Sequence, residues 1–222
     1  MKDLSISQAY LICAVNDKGT ISDFSTEKLV GFVAAGLLDL RLAGCVSLEE
    51  KRVSTSGPLP ASRSYLEPLY DFIAQKEPVK LSKVAESYTF SFTSKQLDAL
   101  FDAVGASLEA PGMLQAAKKG LLGGRRHYVP TRQAVSAVVD MLRAELLEEG
   151  PISDEGAALA TLLDQAKCLK RYFSDFERKE IRRRLQELAR TPEGQAVRQM
   201  AEYIQLLIVA ISAGCGGAGG AG

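Results

Sequence analysis

A single histidine, His127, occurs in the 222-residue chain. Metal centres built on several imidazoles are therefore excluded, and the cysteines do not replace them. Cys13, Cys45, Cys168 and Cys215 are far apart, with no CxxC pair to begin a zinc set. They read as free thiols, mostly buried, in a reducing compartment. Net charge is also absent, because 27 basic side chains balance 27 acidic ones. This excludes a chain-wide nucleic-acid footprint, so any anionic partner must be met by a local patch. Long apolar runs are missing: Ile204 to Ala213 is far shorter than the roughly 20 residues of a spanning helix. MKDLSISQ at the start has no apolar signal core. The expectation is a cytoplasmic protein, at most reversibly associated with membrane. Catalytic motifs are missing as well. There is no GxSxG elbow, Walker loop or HExxH, and GLLGG is not a phosphate-cradling GxGxxG that opens a helix. His127, beside two arginines, reads as a surface or partner-binding residue rather than a general base. No catalytic residue, metal or cofactor is expected.

What is present points to a helical protein. Hydrophobic residues make up 46% and charged residues 24%, an ordinary balance for a folded chain with ample core. Leu97, Leu100, Phe101, Val104 and Leu108 recur at three- and four-residue spacing and mark one face of a helix over 94–109. Val135, Val138, Val139, Leu142 and Leu146 repeat the pattern after a start at Pro130–Thr131. Ser174 to Glu177 fits a capping box that opens a helix to about Arg190. Thr191–Pro192–Glu193 predicts a last helix to about Ala213. Leu29 to Leu42 is apolar nearly all round, with Asp39 and Arg41 as exceptions, and so predicts a central buried helix. Gly44 to Leu48 alternates like a short strand, and GPLPAS is a loop. Gly112 to Pro130, rich in glycine between two helical stripes, predicts a two-stranded hairpin. The expected fold is mainly α: one helical domain over 1–213, with a central buried helix and one protruding β-hairpin. A flexible Gly/Ala tail occupies 214–222.

The hairpin segment KKGLLGGRRHYVP is the oddest stretch. It places Leu121 and Leu122 between two basic pairs, Lys118–Lys119 and Arg125–Arg126. That composition suits a shallow membrane anchor, with apolar groups at the acyl boundary and cations on anionic head groups. Each such cation contributes about 1 kcal/mol. The leucines would serve equally in a contact between subunits, making the hairpin an oligomerisation or protein-interaction module. A third reading is a winged-helix arrangement with the basic hairpin along a nucleic-acid backbone. Asp98, Asp102 and Glu109 on the preceding helix would repel phosphates, which disfavours it. A second basic segment, Lys167 to Arg184, holds eight basic and three acidic residues. It reads as a solvated helix face, with Glu177, Glu180 and Glu187 as partners at helical spacing.

The order of these segments resembles the Golgi phosphoprotein 3 family, including its bacterial members, from about Leu4 to Ala213. The resemblance rests on ISQAYLICAVNDKGTI, LDLRLAGCVSLE, PASRSYLEPL, GMLQAAKKGLLGGRRHYVPT, LLDQAKCLKRYF and FERKEIRRRLQELARTPEGQAVRQMAEYIQLLIVAISA. It implies a mostly helical peripheral membrane protein that is not an enzyme. Eukaryotic members bind phosphatidylinositol 4-phosphate on Golgi membranes and link these membranes to glycosyltransferase tails. The family hairpin contributes to membrane contact and oligomer formation. The family's head-group pocket uses an aromatic residue, which falls on Phe24. Its arginines fall on about Val33, Leu100 and Asp102, which cannot clamp a phosphate as arginine does, although a gap shift would bring Lys95 near. The expected lipid contacts are therefore Phe24, Lys118, Lys119, Arg125 and Arg126, with Leu121 and Leu122 as membrane or subunit contacts. The expected partners are anionic phospholipid or phosphoinositide head groups, a second copy of the chain, and membrane-protein tails.

Overall fold

Every residue from Leu29 to Leu40 is buried, so the continuous apolar segment becomes the central helix. The computed structural model describes residues 4–22, 25–89, 95–117 and 126–191, with 198, 202, 204–206 and 209. Its elements run α1 (Ile6–Ala14), α2 (Thr26–Leu42), β1 (Val46–Glu49), β2 (Arg52–Thr55), α3 (Glu67–Ala74), β3 (Val79–Lys80), α4 (Leu81–Thr89), α5 (Lys95–Glu109), β4 (Leu114–Ala117), β5 (His127–Pro130), α6 (Arg132–Leu147), α7 (Asp154–Gln165) and α8 (Asp175–Leu188). Two 3-10 turns, Ala61–Leu66 and Leu169–Arg171, precede α3 and α8. The fold is mainly α, and α2 packs against α1, α7 and α4.

Asp39 is the acid in the otherwise apolar α2, and its surroundings explain why it is tolerated. Its carboxylate accepts from the Ile6 and Ser7 backbone N–H groups, both at 2.9 Å, and from Ser7 Oγ at 2.5 Å. These N–H groups belong to the first turn of α1, which has no intrahelical acceptors and carries the positive end of the helix dipole. Burial pushes the Asp39 pKa up, while the Ser7, Ser5 and Ile6 hydrogen bonds pull it back. Ser5 completes a capping box with Gln8. The polar residues here thus fix α1 against the end of α2.

Strand formation goes beyond the short alternation at Gly44 to Leu48. β1 pairs with β2, and β2 with β3, both antiparallel. Leu48 lies opposite Val53, and Val53 opposite Val79, so the apolar positions share one face. The predicted hairpin at Gly112 to Pro130 forms a separate two-stranded sheet, with Leu114 opposite Pro130 and Ala117 opposite His127. Residues 198, 202, 204–206 and 209 are helical, in line with the predicted last helix, and Ile204 is buried. Pro192 and Glu193 and the 214–222 tail lie outside the described residues.

Candidate membrane-contact site

The hairpin is anchored through Tyr128 of β5, which is fully buried. Its ring packs at 5.8 Å on Phe101 of α5, which in turn meets Phe32 of α2 edge-on at 6.0 Å. An aromatic row therefore links the hairpin to the central helix. Two glycines make room for it. A Cβ on Gly105 would lie 2.5 Å from the Tyr128 ring, and one on Gly19 would lie 2.6 Å from the Tyr128 backbone. Gly19 also has φ +73°, where an L side chain is strained. The Tyr128 hydroxyl donates to Asp102 O at 3.2 Å, and its N–H donates to Gly19 O at 2.9 Å.

Gly19 belongs to the connection between α1 and α2, which is tied down tightly. Asn16 Oδ1 accepts from Lys18 N at 2.9 Å and from Thr20 N at 3.2 Å. Such a side-chain turn holds the backbone without a helix or sheet. The end of α1 beside it is closed by three side chains. Tyr172 Oη donates to Cys13 O at 2.9 Å, Lys28 Nζ to Ala14 O at 3.2 Å, and Arg171 Nη1 to Val15 O at 2.6 Å. These are the carbonyls a helix C-terminus leaves without partners, at its negative end. Cys13 and Cys168 are buried free thiols, and burial raises Cys13 to about 12. Such groups are inert structural thiols. Cys45 is also a buried free thiol, whereas Cys215 lies outside the described residues.

Of the residues expected at the site, Arg126 is described. It is exposed, directly precedes β5, and hydrogen-bonds the Tyr128 side chain, which keeps it protonated. Phe24, Lys118, Lys119, Leu121, Leu122 and Arg125 lie outside the described residues. The strand register still constrains the hairpin segment. The last pair among the described residues is Ala117–His127, and the nine residues between them contain all four cations and both leucines. Val33 and Leu100, the positions matched to family arginines, are 1% and 0% exposed and belong to the hydrophobic core. Neither can touch a head group. Lys95 is exposed at the first residue of α5.

The second basic segment is largely neutralised within the protein. Arg182 makes a two-pronged contact with Asp164 of α7 at 2.7 Å, and Arg183 pairs with Glu180 and Glu187. Arg184 donates to the Glu145 carbonyl in the last turn of α6 and to the Glu148 and Gly150 carbonyls after it, and Arg178 pairs with Asp175. The expected solvated face is thus an ion-paired one, with one change of partner. Glu177 contacts Arg143 of α6 at 3.0 Å instead of an arginine on its own helix. Arg143 also donates to Tyr172 O at 2.9 Å and lies over the Phe173 ring, so it joins α6 to the start of α8.

A cleft of about 1030 Å³ lies at the other end of α1, lined by Ser5, Gln8, Asp39, Arg63 and Met141 among others. Gln8 of its lining donates to Ser107 Oγ on α5 at 2.9 Å. No helix among the described residues is long and apolar enough to cross a membrane.

A family model described as Golgi phosphoprotein 3 (GPP34) matches residues 6–204. The chain belongs to the Golgi phosphoprotein 3 family. No curated protein matches the chain. The matched region includes α1, the hairpin and α8, so the family relationship extends over the whole helical body and the candidate site.

Proposed function

We propose that this Golgi phosphoprotein 3-like protein is a peripheral membrane adaptor that binds lipid and catalyses nothing. It meets anionic head groups through Lys118, Lys119, Arg125 and Arg126, while Leu121 and Leu122 enter the acyl boundary. The observation that carries the reading is the hairpin. A ladder seated on the core through Tyr128 reaches Ala117–His127 among the described residues, and the nine residues between these two carry four cations, two leucines and no acid. The burial of Val33 and Leu100 favours a general anionic surface over a phosphatidylinositol 4-phosphate clamp. Phe24 is the pocket's aromatic position and would add an interfacial ring. Membrane-protein tails are the partners an adaptor of this family would carry. α5 buries Leu97, Leu100, Phe101, Val104 and Leu108, which argues against its entering a nucleic-acid groove.

The test is co-sedimentation with vesicles of phosphatidylcholine alone and with added phosphatidylserine. The protein is expected to pellet with the acidic vesicles only and to be released by salt. Equal partition onto both vesicle types would overturn the reading. Sedimentation velocity of Leu121→Asp with Leu122→Asp separates the alternative role. A shift to smaller species with unchanged lipid binding would make the leucines a subunit contact.

A further inference from the structure

We infer that the anionic-lipid surface continues beyond the hairpin onto the α1–α2 connection and the 3-10 turn at Leu169–Arg171, with Lys18 and Lys170 as further head-group contacts. The inference rests on the lipid reading of the hairpin and extends it to residues outside that segment. One short loop carries the argument. Gly19 accepts the Tyr128 N–H of the hairpin, and Val15 accepts Arg171 from the 3-10 turn. Hairpin base, loop and turn are therefore contiguous. Lys18 is exposed between the two anchor points, on a backbone fixed by the Asn16 side chain. Lys170 is exposed beside Arg171.

The lysines at this junction differ from the arginines on α8. Arg178, Arg182 and Arg183 are matched by carboxylates, and the Arg184 guanidinium is held by three carbonyls. Lys18 and Lys170 pair with no carboxylate among the described residues. The acids nearest in sequence are Asp17, at 3.4 Å from Arg171, Asp23, which lies outside the described residues, and Glu27, which is taken by Lys167 at 2.8 Å. An exposed, unmatched lysine next to a basic hairpin raises the local positive potential where lipid would dock. It also widens the contact from a point to a face, which fixes the orientation of the protein on the bilayer. A flat anionic surface suits this better than a single small anion, because both lysines are exposed and neither lines the cleft at the N-terminus of α1.

The experiment compares partition onto phosphatidylserine-containing vesicles at about 0.1 M salt. Lys18→Gln with Lys170→Gln is set against wild type, Leu121→Asp with Leu122→Asp, and a control pair, Lys51→Gln with Lys80→Gln, on the other sheet. All four lysines are exposed, and circular dichroism checks that each variant folds. The Lys18/Lys170 pair is expected to lower the partition coefficient about thirtyfold, and the control pair much less. Wild-type partition in the Lys18/Lys170 variant, with loss in the leucine variant, would overturn this inference and leave the hairpin reading intact. An equal loss in the control pair would also overturn it, because net charge alone would then govern binding. Loss in the Lys18/Lys170 variant with an unaffected leucine variant would support the surface and remove the wedge. If wild type ignores acidic vesicles, both readings fail.

Discussion

At the scale of single residues, two positions decide whether the hairpin and α1 are held. Gly105 is one. Replacing glycine by alanine inside a helix favours the helix by about 1 kcal/mol. Here the new methyl would overlap a ring that is fully buried and cannot move aside. Overpacking of that kind costs about 1–3 kcal/mol, so the clash outweighs the propensity gain. Gly105→Ala is expected to lower the melting temperature by several degrees, at about 2–4 °C per kcal/mol for a chain this size. An unchanged or raised melting temperature would contradict the seat described for Tyr128. Asp39 is the other. Asp39→Ala would leave the Ile6 and Ser7 N–H groups buried without their acceptor, at about 3 kcal/mol. Urea denaturation should show that loss, and a loss below about 0.5 kcal/mol would contradict the anchoring role.

At the scale of elements, the start of α8 is the clearest case. Ser174 and Glu177 cap the helix reciprocally, and Glu177 also reaches Arg143. The Ser174 N–H and hydroxyl, then Arg143, lower the Glu177 pKa from 4.5 to about 2. A carboxylate depressed on folding contributes stability above its unfolded value and loses it as pH falls towards the folded one. Glu177→Ala is therefore expected to cost about 1 kcal/mol at neutral pH. The gap to wild type should close between about pH 5 and pH 2. Urea midpoints across that range check this, and a gap constant with pH would contradict the charged cap. This element was legible in sequence because its capping signal lies within four residues. Leu29–Leu40 was legible for a similar reason, as a continuous apolar run. The partners of Asp39 and Arg182 were not, because Ile6 and Asp164 lie on other helices. Nor was the glycine seat, since Gly19, Gly105 and Tyr128 meet only after three separate segments pack. The β1–β2–β3 sheet exceeded the single strand read from alternation because β3 is only two residues long and carries no periodic signal.

At the scale of the whole molecule, α1 separates two environments. Its N-terminus is held by Asp39 beside the cleft, and its C-terminus by Tyr172, Lys28 and Arg171 beside the hairpin. The basic residues that look like one long patch in sequence divide accordingly. The arginines on α8 are used internally, while the basic residues near the α1–α2 connection adjoin the hairpin base. Composition showed the balanced net charge but could not show this division, which depends on which carboxylate each arginine reaches. The central claim is that Leu121 and Leu122 enter an anionic membrane. The chain has no tryptophan, so Leu122→Trp places a single reporter in the segment between Ala117 and His127. Its emission is expected to shift to the blue, and to be quenched by brominated acyl chains, when phosphatidylserine vesicles are added and not when phosphatidylcholine vesicles are. Emission that stays unchanged on acidic vesicles carrying the protein would contradict the account.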